Sequence, residues 1–150
     1  MKQMVKIGIN KGFTLVELVV VIVLLGVLAA FAIPQFFNLT EYRERAAYDE
    51  VAEALRYARQ LAVASGCEVR VRITGGTYSL QQHENDCSSG GWEALTGHPV
   101  SQGDFDDVNL ASTPATFNFD AMGRCSNSVT VNVGGRTISV VAETGYVNAP

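Results

Sequence analysis

Three features of this 150-residue sequence predict an α+β fold, with a long N-terminal helix packed against an antiparallel β-sheet. An uncharged apolar run extends from Leu18 to Ala32, interrupted only by Gly26. An amphipathic stretch of helical period follows from Glu41 to Ser65, and alternating strands joined by Gly-Gly pairs come after it. A helix first and antiparallel strands afterwards is the order of an α+β domain. The length suits one small domain plus an anchor.

The chain opens with a basic leader, residues 1–12, that holds all three lysines, Lys2, Lys6 and Lys11. After Gly12 there are eight arginines against fifteen acidic residues, a formal charge near −7. Basic residues ahead of an apolar run place the leader in the cytoplasm and the remainder across the membrane. Counted from Phe13 to Ile33 the apolar segment has about 21 residues, enough to span a hydrocarbon core as a helix. Leu28-Ala29-Ala30 offers an ordinary signal-peptidase site, but the apolar pattern runs on through Phe31 and Ile33, which argues against that reading. Pro34 then loosens the helix where the chain leaves lipid.

Glu17 is the anomaly in this segment. A carboxylate costs about 2.5–3.5 kcal/mol at mid-bilayer and less near the interface. One reading has Glu17 snorkel to water at the membrane edge. The other has the chain cut after Gly12, which creates an α-amine on Phe13 at the positive end of the helix, a counter-charge for Glu17 on its own or a neighbouring chain.

Lys11-Gly12-Phe13-Thr14-Leu15-Val16-Glu17, an unbroken apolar helix and a proline resemble the prepilin signature of the type IV pilin-like superfamily. The resemblance implies cleavage between Gly12 and Phe13 by a prepilin peptidase that also N-methylates Phe13. It implies that the apolar helix anchors the subunit in the inner membrane and later forms the filament core. It also implies that Glu17 pairs with the Phe13 amine of an adjacent subunit during assembly.

From Glu41 to Ser65, Ala47, Val51, Ala54, Leu55, Ala58, Leu61 and Ala62 recur at three- and four-residue spacing, the stripe of an amphipathic helix. Its alanines predict close packing on a sheet, and Gly66 supplies a left-handed stop. Glu68–Ile73, the Gly75-Gly76 turn and Tyr78–Leu80 form a hairpin, with Val69, Val71, Ile73, Tyr78 and Leu80 inward. Thr116–Phe119 is a further strand, and Val129–Val133, Gly134-Gly135 and Arg136–Val141 a second hairpin. Residues 83–115 read as a long loop with one short strand around Val108–Leu110. The expected organisation is a leader (1–12), a membrane and filament-core helix (13–34), an amphipathic continuation (35–66) and a β-rich head (67–150).

Ala58-Arg59-Gln60-Leu61-Ala62 running into a strand, Phe117-x-Phe119-x-x-x-Gly123 and the closing Thr144-Gly145-Tyr146-Val147 resemble the minor pilins and pseudopilins of the H type in type II secretion and the T type in type IV fimbriae. Pro34-Gln35-Phe36-Phe37-Asn38-Leu39 is similar to pilins of the mannose-sensitive haemagglutinin kind, including its C-type minor pilin.

A two-residue turn at Gly75-Gly76 sets Cys67 opposite Glu84, a few residues from Cys87. A Cys67–Cys87 bridge is therefore reachable, with Cys125 the alternative partner for Cys87; three cysteines cannot all pair within one chain. Cys67, His83, Cys87, His98 and Cys125 match no zinc spacing, so no metal or other cofactor is expected. Asp104, Asp106 and Asp107 lack the closing Glu and central Gly of a calcium loop. No phosphate loop or nucleophile elbow occurs, and no enzymatic activity is expected. Beyond the helix, Arg70, Arg72, Arg124 and Arg136 are too diluted by acids to track phosphates, so nucleic acid is not expected as a partner.

The reading is a structural subunit of a type IV pilus, a minor pilin acting in filament initiation and assembly. The alternative is an H-type pseudopilin of a type II secretion system, and a third is an adhesive or DNA-binding tip acting through Trp92 and the insert. Its expected partners are the prepilin peptidase and N-methyltransferase, other pilin or pseudopilin subunits, the inner-membrane assembly platform and, before assembly, membrane lipid. Its expected location is the inner membrane as a single-pass protein with a periplasmic head, then the surface pilus or periplasmic pseudopilus.

Overall fold

The computed structural model describes residues 12–32, 39–84, 87 and 89–150. The chain divides into two units, Met1–Leu39 and Thr40–Pro150.

The first unit holds helix α1 (Leu15–Ala32), eighteen residues that are mostly Leu, Val, Ile and Ala, with Glu17 as its single charge. At 1.5 Å per residue it is about 27 Å long. Among the described residues no helix is long and apolar enough to cross a membrane. The expected boundary at residue 34, and with it Pro34, lies outside the described residues, as does most of the leader.

The second unit is the head. Helix α2 (Leu39–Ser65) begins two residues earlier than its periodicity suggests and buries Ala47, Val51, Ala54, Leu55, Ala58 and Ala62 of the predicted stripe, together with Tyr48 and Ala52. Leu61 is only half-buried at the stripe's edge. Ser65 closes the helix by donating its hydroxyl to the Leu61 carbonyl at 2.7 Å, and Gly66 follows at a φ of 67°.

Among the described residues nine strands follow: β1 (Val69–Thr74), β2 (Thr77–His83), β3 (Trp92–Ala94), β4 (Gln102–Asp104), β5 (Leu110–Thr113), β6 (Thr116–Phe119), β7 (Val129–Val133), β8 (Arg136–Val140) and β9 (Val147–Asn148). They form two sheets where the sequence suggested one. The first runs β3-β2-β1-β6 with β4 also on β2, and the second β5-β7-β8-β9. In the first hairpin Thr74 faces Thr77 and Arg70 faces Gln81. This is the register of a two-residue turn, for which Gly75 and Gly76 both adopt positive φ.

Residues 83–115 hold three strands, a correction to the long loop with a single strand around Val108–Leu110. β3 and β4 lie end to end along the free edge of β2, paired to residues 81–83 and 77–79 respectively. They add backbone hydrogen bonds to an open edge but bury no side chain fully, so they carry no alternating apolar signature. β5 begins at Leu110 and pairs with β7.

Both sheets and the α2 stripe share one core, centred on Leu55, Val69, Leu80, Phe117, Phe119, Val131 and Ile138, all at most 2% exposed. Val69, Val71, Ile73, Tyr78 and Leu80 all point into it. Each such aliphatic or aromatic side chain contributes about 1.5–3 kcal/mol on burial. The alanines of α2 let helix and sheet approach closely enough to exclude water.

Candidate processing and assembly site

Gly12, Phe13 and Thr14 precede α1 without helical structure, and Phe13 is 78% exposed. The peptide bond between Gly12 and Phe13 therefore lies in an open, non-helical strip of chain, the form in which a peptide bond can enter a protease cleft. Thr14 starts the helix. Its hydroxyl accepts the Glu17 backbone N–H at 3.2 Å, and its carbonyl accepts the Leu18 N–H at 3.2 Å. Thr14 is thus the N-cap and Glu17 the third helical residue, the spacing of a capping box. The Thr-x-x-Glu pattern was visible in the sequence but was overshadowed by the apolar run around it. It gives Glu17 a local reason to sit where it does, because a carboxylate in the first turn faces the positive end of the helix dipole.

The α1 side chains from Leu15 to Leu28 are exposed on every side of the helix. A helix apolar all round is stable in water only when something covers it.

In the head, Cys67 and Cys87 form a disulfide with Cα atoms 4.6 Å apart and a sequence separation of 20. It ties the segment entering β1 to the segment leaving β2. Cys125 is a buried free thiol. Burial pushes its pKa up against the opposing hydrogen bonds from Asn127 and Ser126, so it stays protonated and inert in the core.

The remaining candidate residues are scattered. His83 packs against Trp92, with ring centroids 4.1 Å apart, and His98 stacks on Tyr57 at 3.9 Å. Among the described residues no group of three or more His, Cys, Asp or Glu is placed to hold a metal ion. Asp107 is ion-paired with Arg43 at 2.6 Å. Arg70 lies 3.8 Å over the half-buried Trp92 ring, Arg124 pairs with Asp120 at 2.7 Å, and Arg136 sits over Tyr48. Tyr78 donates its hydroxyl to Glu50 at 3.0 Å; burial first, and then the carboxylate, push its phenol pKa up. Sequence reasoning missed this helix–sheet link, because Tyr78 reads as one more inward apolar position.

Residues 9–33, which include Gly12, Phe13 and Glu17, match the family model for the prokaryotic N-terminal methylation motif. Residues 47–145, about two thirds of the chain, match that of type II transport protein GspH. The chain belongs to the GspH family. The type IV narrow pilus major component PilA5 of Thermus thermophilus is 48% identical over 52 residues, 35% of this chain and 45% of that protein. The chain thus spans less than half the length of this curated relative. Two solved structures share the GspH-family fold. The type IV minor pilin FimU of Pseudomonas aeruginosa superposes with a TM-score of 0.55 at 17% identity, over 74% of this chain and 90% of that one. Escherichia coli GspH superposes with a TM-score of 0.57 at 17% identity, over 75% and 91%. At these identities the likeness shows the α+β pilin-like fold alone.

Proposed function

We propose that this GspH-family chain is a non-catalytic filament subunit, a minor pilin of a type IV pilus, released by cleavage between Gly12 and Phe13 and N-methylated on Phe13. The observation that carries the reading is the start of α1. An open Gly12-Phe13 peptide leads into a Thr14 cap, a first-turn Glu17 and a helix exposed and apolar on every side. Before assembly, lipid covers that helix and the head lies on the far side of the inner membrane. After assembly, the helices of other subunits cover it. Cleavage leaves the Phe13 amine next to the capped first turn, where it can meet the Glu17 carboxylate of a neighbour and set the register of the incoming subunit. The prepilin peptidase, the assembly platform and other pilin-like subunits are the partners this chemistry calls for.

Mass spectrometry of filaments sheared from the cell surface tests the reading. The expected result is this chain at trace level relative to the main pilin, beginning at methylated Phe13. A chain that keeps its leader would overturn it. The second reading, a pseudopilin of type II secretion, is favoured by the family match over residues 47–145. It predicts a processed chain in the membrane fraction that is absent from surface filaments.

A further inference from the structure

The outer face of the first sheet departs from the acidic character of the chain. Val69, Val71 and Ile73 of β1 point into the core, so Arg70, Arg72 and Thr74 stand on the opposite face. Strand register extends that face sideways. Arg70 lies between Gln81 of β2 and Asn118 of β6, and Arg72 between Ser79 and Thr116. The two arginines are thus about 7 Å apart along one strand, flanked by amides and hydroxyls. The acids of this face stand at its ends. Glu68 accepts a hydrogen bond from the Asn118 amide at 3.0 Å, Asp120 is paired with Arg124, and Asp104 is level with Thr77 at the far corner. Between them, a hollow of about 350 Å³ is lined by Arg72, Thr74, Thr77, Ser79 and Gln81, with no carboxylate.

Arg70 is held in position. Its guanidinium carbon lies 3.8 Å over the Trp92 ring. Trp92 is the cross-strand partner of His83, and their ring centroids are 4.1 Å apart. His83 donates Nδ1–H to the Gly90 carbonyl at 3.2 Å, shortly after the bridged Cys87. Stacking on the indole fixes the plane of the guanidinium, so little rotamer freedom remains to be lost on binding. The Arg70 Nε is buried and has no hydrogen-bond partner among the described residues. Neither Arg70 nor Arg72 has an ion pair among them; the pairs found there use Arg43, Arg56 and Arg124. A positioned guanidinium with an orphaned donor is a cation without its counter-charge.

Three kinds of polymer carry repeated negative charge. Nucleic acid asks for a longer track of cations and for open aromatic rings. Here there are two arginines, and Trp92 and His83 already stack on each other. An acidic peptide brings backbone groups that seek a free strand edge, but β1 and β2 are each paired on both sides. A uronate polysaccharide brings carboxylates for the arginines and a hydroxyl array for the amides and hydroxyls around them.

We propose that the outer face of β1 and β2 binds a carboxylated polysaccharide, with Arg70 and Arg72 each holding a uronate carboxylate and Ser79 and Gln81 meeting sugar hydroxyls. The site belongs to the head and does not depend on which filament the subunit joins.

Calorimetric titration of the full chain in an uncharged detergent tests it. The probe is oligogalacturonate, and its fully methyl-esterified form is the neutral control with the same backbone. The acid is expected to bind and the ester not. Arg70→Gln and Arg72→Gln should each weaken binding about tenfold, the loss of one charge-assisted contact. Arg72→Gln should also keep the melting temperature of wild type, because its exposed side chain has no hydrogen bond or ion pair among the described residues. Arg45→Gln removes an equal charge from an exposed position of α2 and should leave binding unchanged. The leader lysines are common to every variant, so their attraction for the probe cancels in these comparisons. Absence of binding, equal binding of the ester, or an equal loss from Arg45→Gln would each overturn the proposal. So would binding unmoved by Arg70→Gln and Arg72→Gln, or polyglutamate or single-stranded DNA bound as tightly as oligogalacturonate.

Discussion

The hydroxyl of Thr14 accepts the backbone N–H of Glu17 at 3.2 Å, which makes the acidic residue of the apolar helix part of that helix's own N-cap. Glu17 therefore has a place in starting α1 that is separable from the role in assembly proposed for it. Glu17→Gln keeps the cap spacing and removes the charge. It should leave cleavage at Gly12 intact yet lower incorporation into filaments, read as the ratio of filament to membrane-pool peptide. Thr14→Ala removes the cap, which costs about 1 kcal/mol of helix stability, and should reduce incorporation less. Equal incorporation of Glu17→Gln and wild type would end the pairing idea.

The Gly12-Phe13 peptide is open and has only glycine on its leader side. Gly12→Leu places a branched side chain where the proposed peptidase would grip the backbone. The variant should accumulate with its leader attached, visible as a heavier band and as an N-terminal peptide that still contains Lys11. Unchanged processing at Phe13 would show that cleavage does not depend on Gly12.

The Cys67–Cys87 bridge closes a separation of 20 residues, which by chain-entropy reasoning is worth about 3 kcal/mol. Cys67→Ser, Cys87→Ser and the double variant should each lower the melting temperature by roughly the same amount, and reductant should do so for wild type only. Cys125→Ala, which removes a buried but unbonded thiol, should keep the reductant sensitivity of wild type.

Asp120 carries a pH-dependent share of head stability. Burial opposes its ionisation, but hydrogen bonds from the Arg124 backbone, the Arg124 guanidinium and the Met122 backbone outweigh that and hold its carboxyl below the usual range. With the folded pKa depressed, the contribution is present above the unfolded value of about 3.9 and is lost as pH falls through the folded one. Asp120→Asn should therefore be less stable than wild type at pH 7, and the gap should narrow below about pH 4 in denaturant melts. A gap independent of pH would assign the effect to shape.

Ala58 is fully buried at the centre of the α2 stripe. Ala58→Leu inserts three carbons where helix and sheet touch, and overpacking of this kind costs about 1–3 kcal/mol. Ala64→Leu, on the exposed side of the same helix, should change stability little. Denaturant midpoints compare the two directly.

The features legible in the chain before folding rest on local rules. The apolar run, the Gly12-Phe13-x-x-x-Glu17 motif, the alanine stripe of α2 and both Gly-Gly hairpins are written in short-range spacing, because helical period, strand alternation and turn chemistry involve residues close in the chain. Even the reach from Cys67 to Cys87 follows from counting across one turn. The remaining features depend on long-range packing. β3 and β4 exist because β2 leaves an edge with unpaired backbone groups, and backbone pairing needs no apolar code. Separation into two sheets depends on which strands meet β1 and β7, a question of long-range pairing. Arg59 bridging Gly123 and Thr144, and Tyr78 holding Glu50, join residues tens of positions apart. Such contacts form only once the core has brought their elements together, so no local pattern announces them.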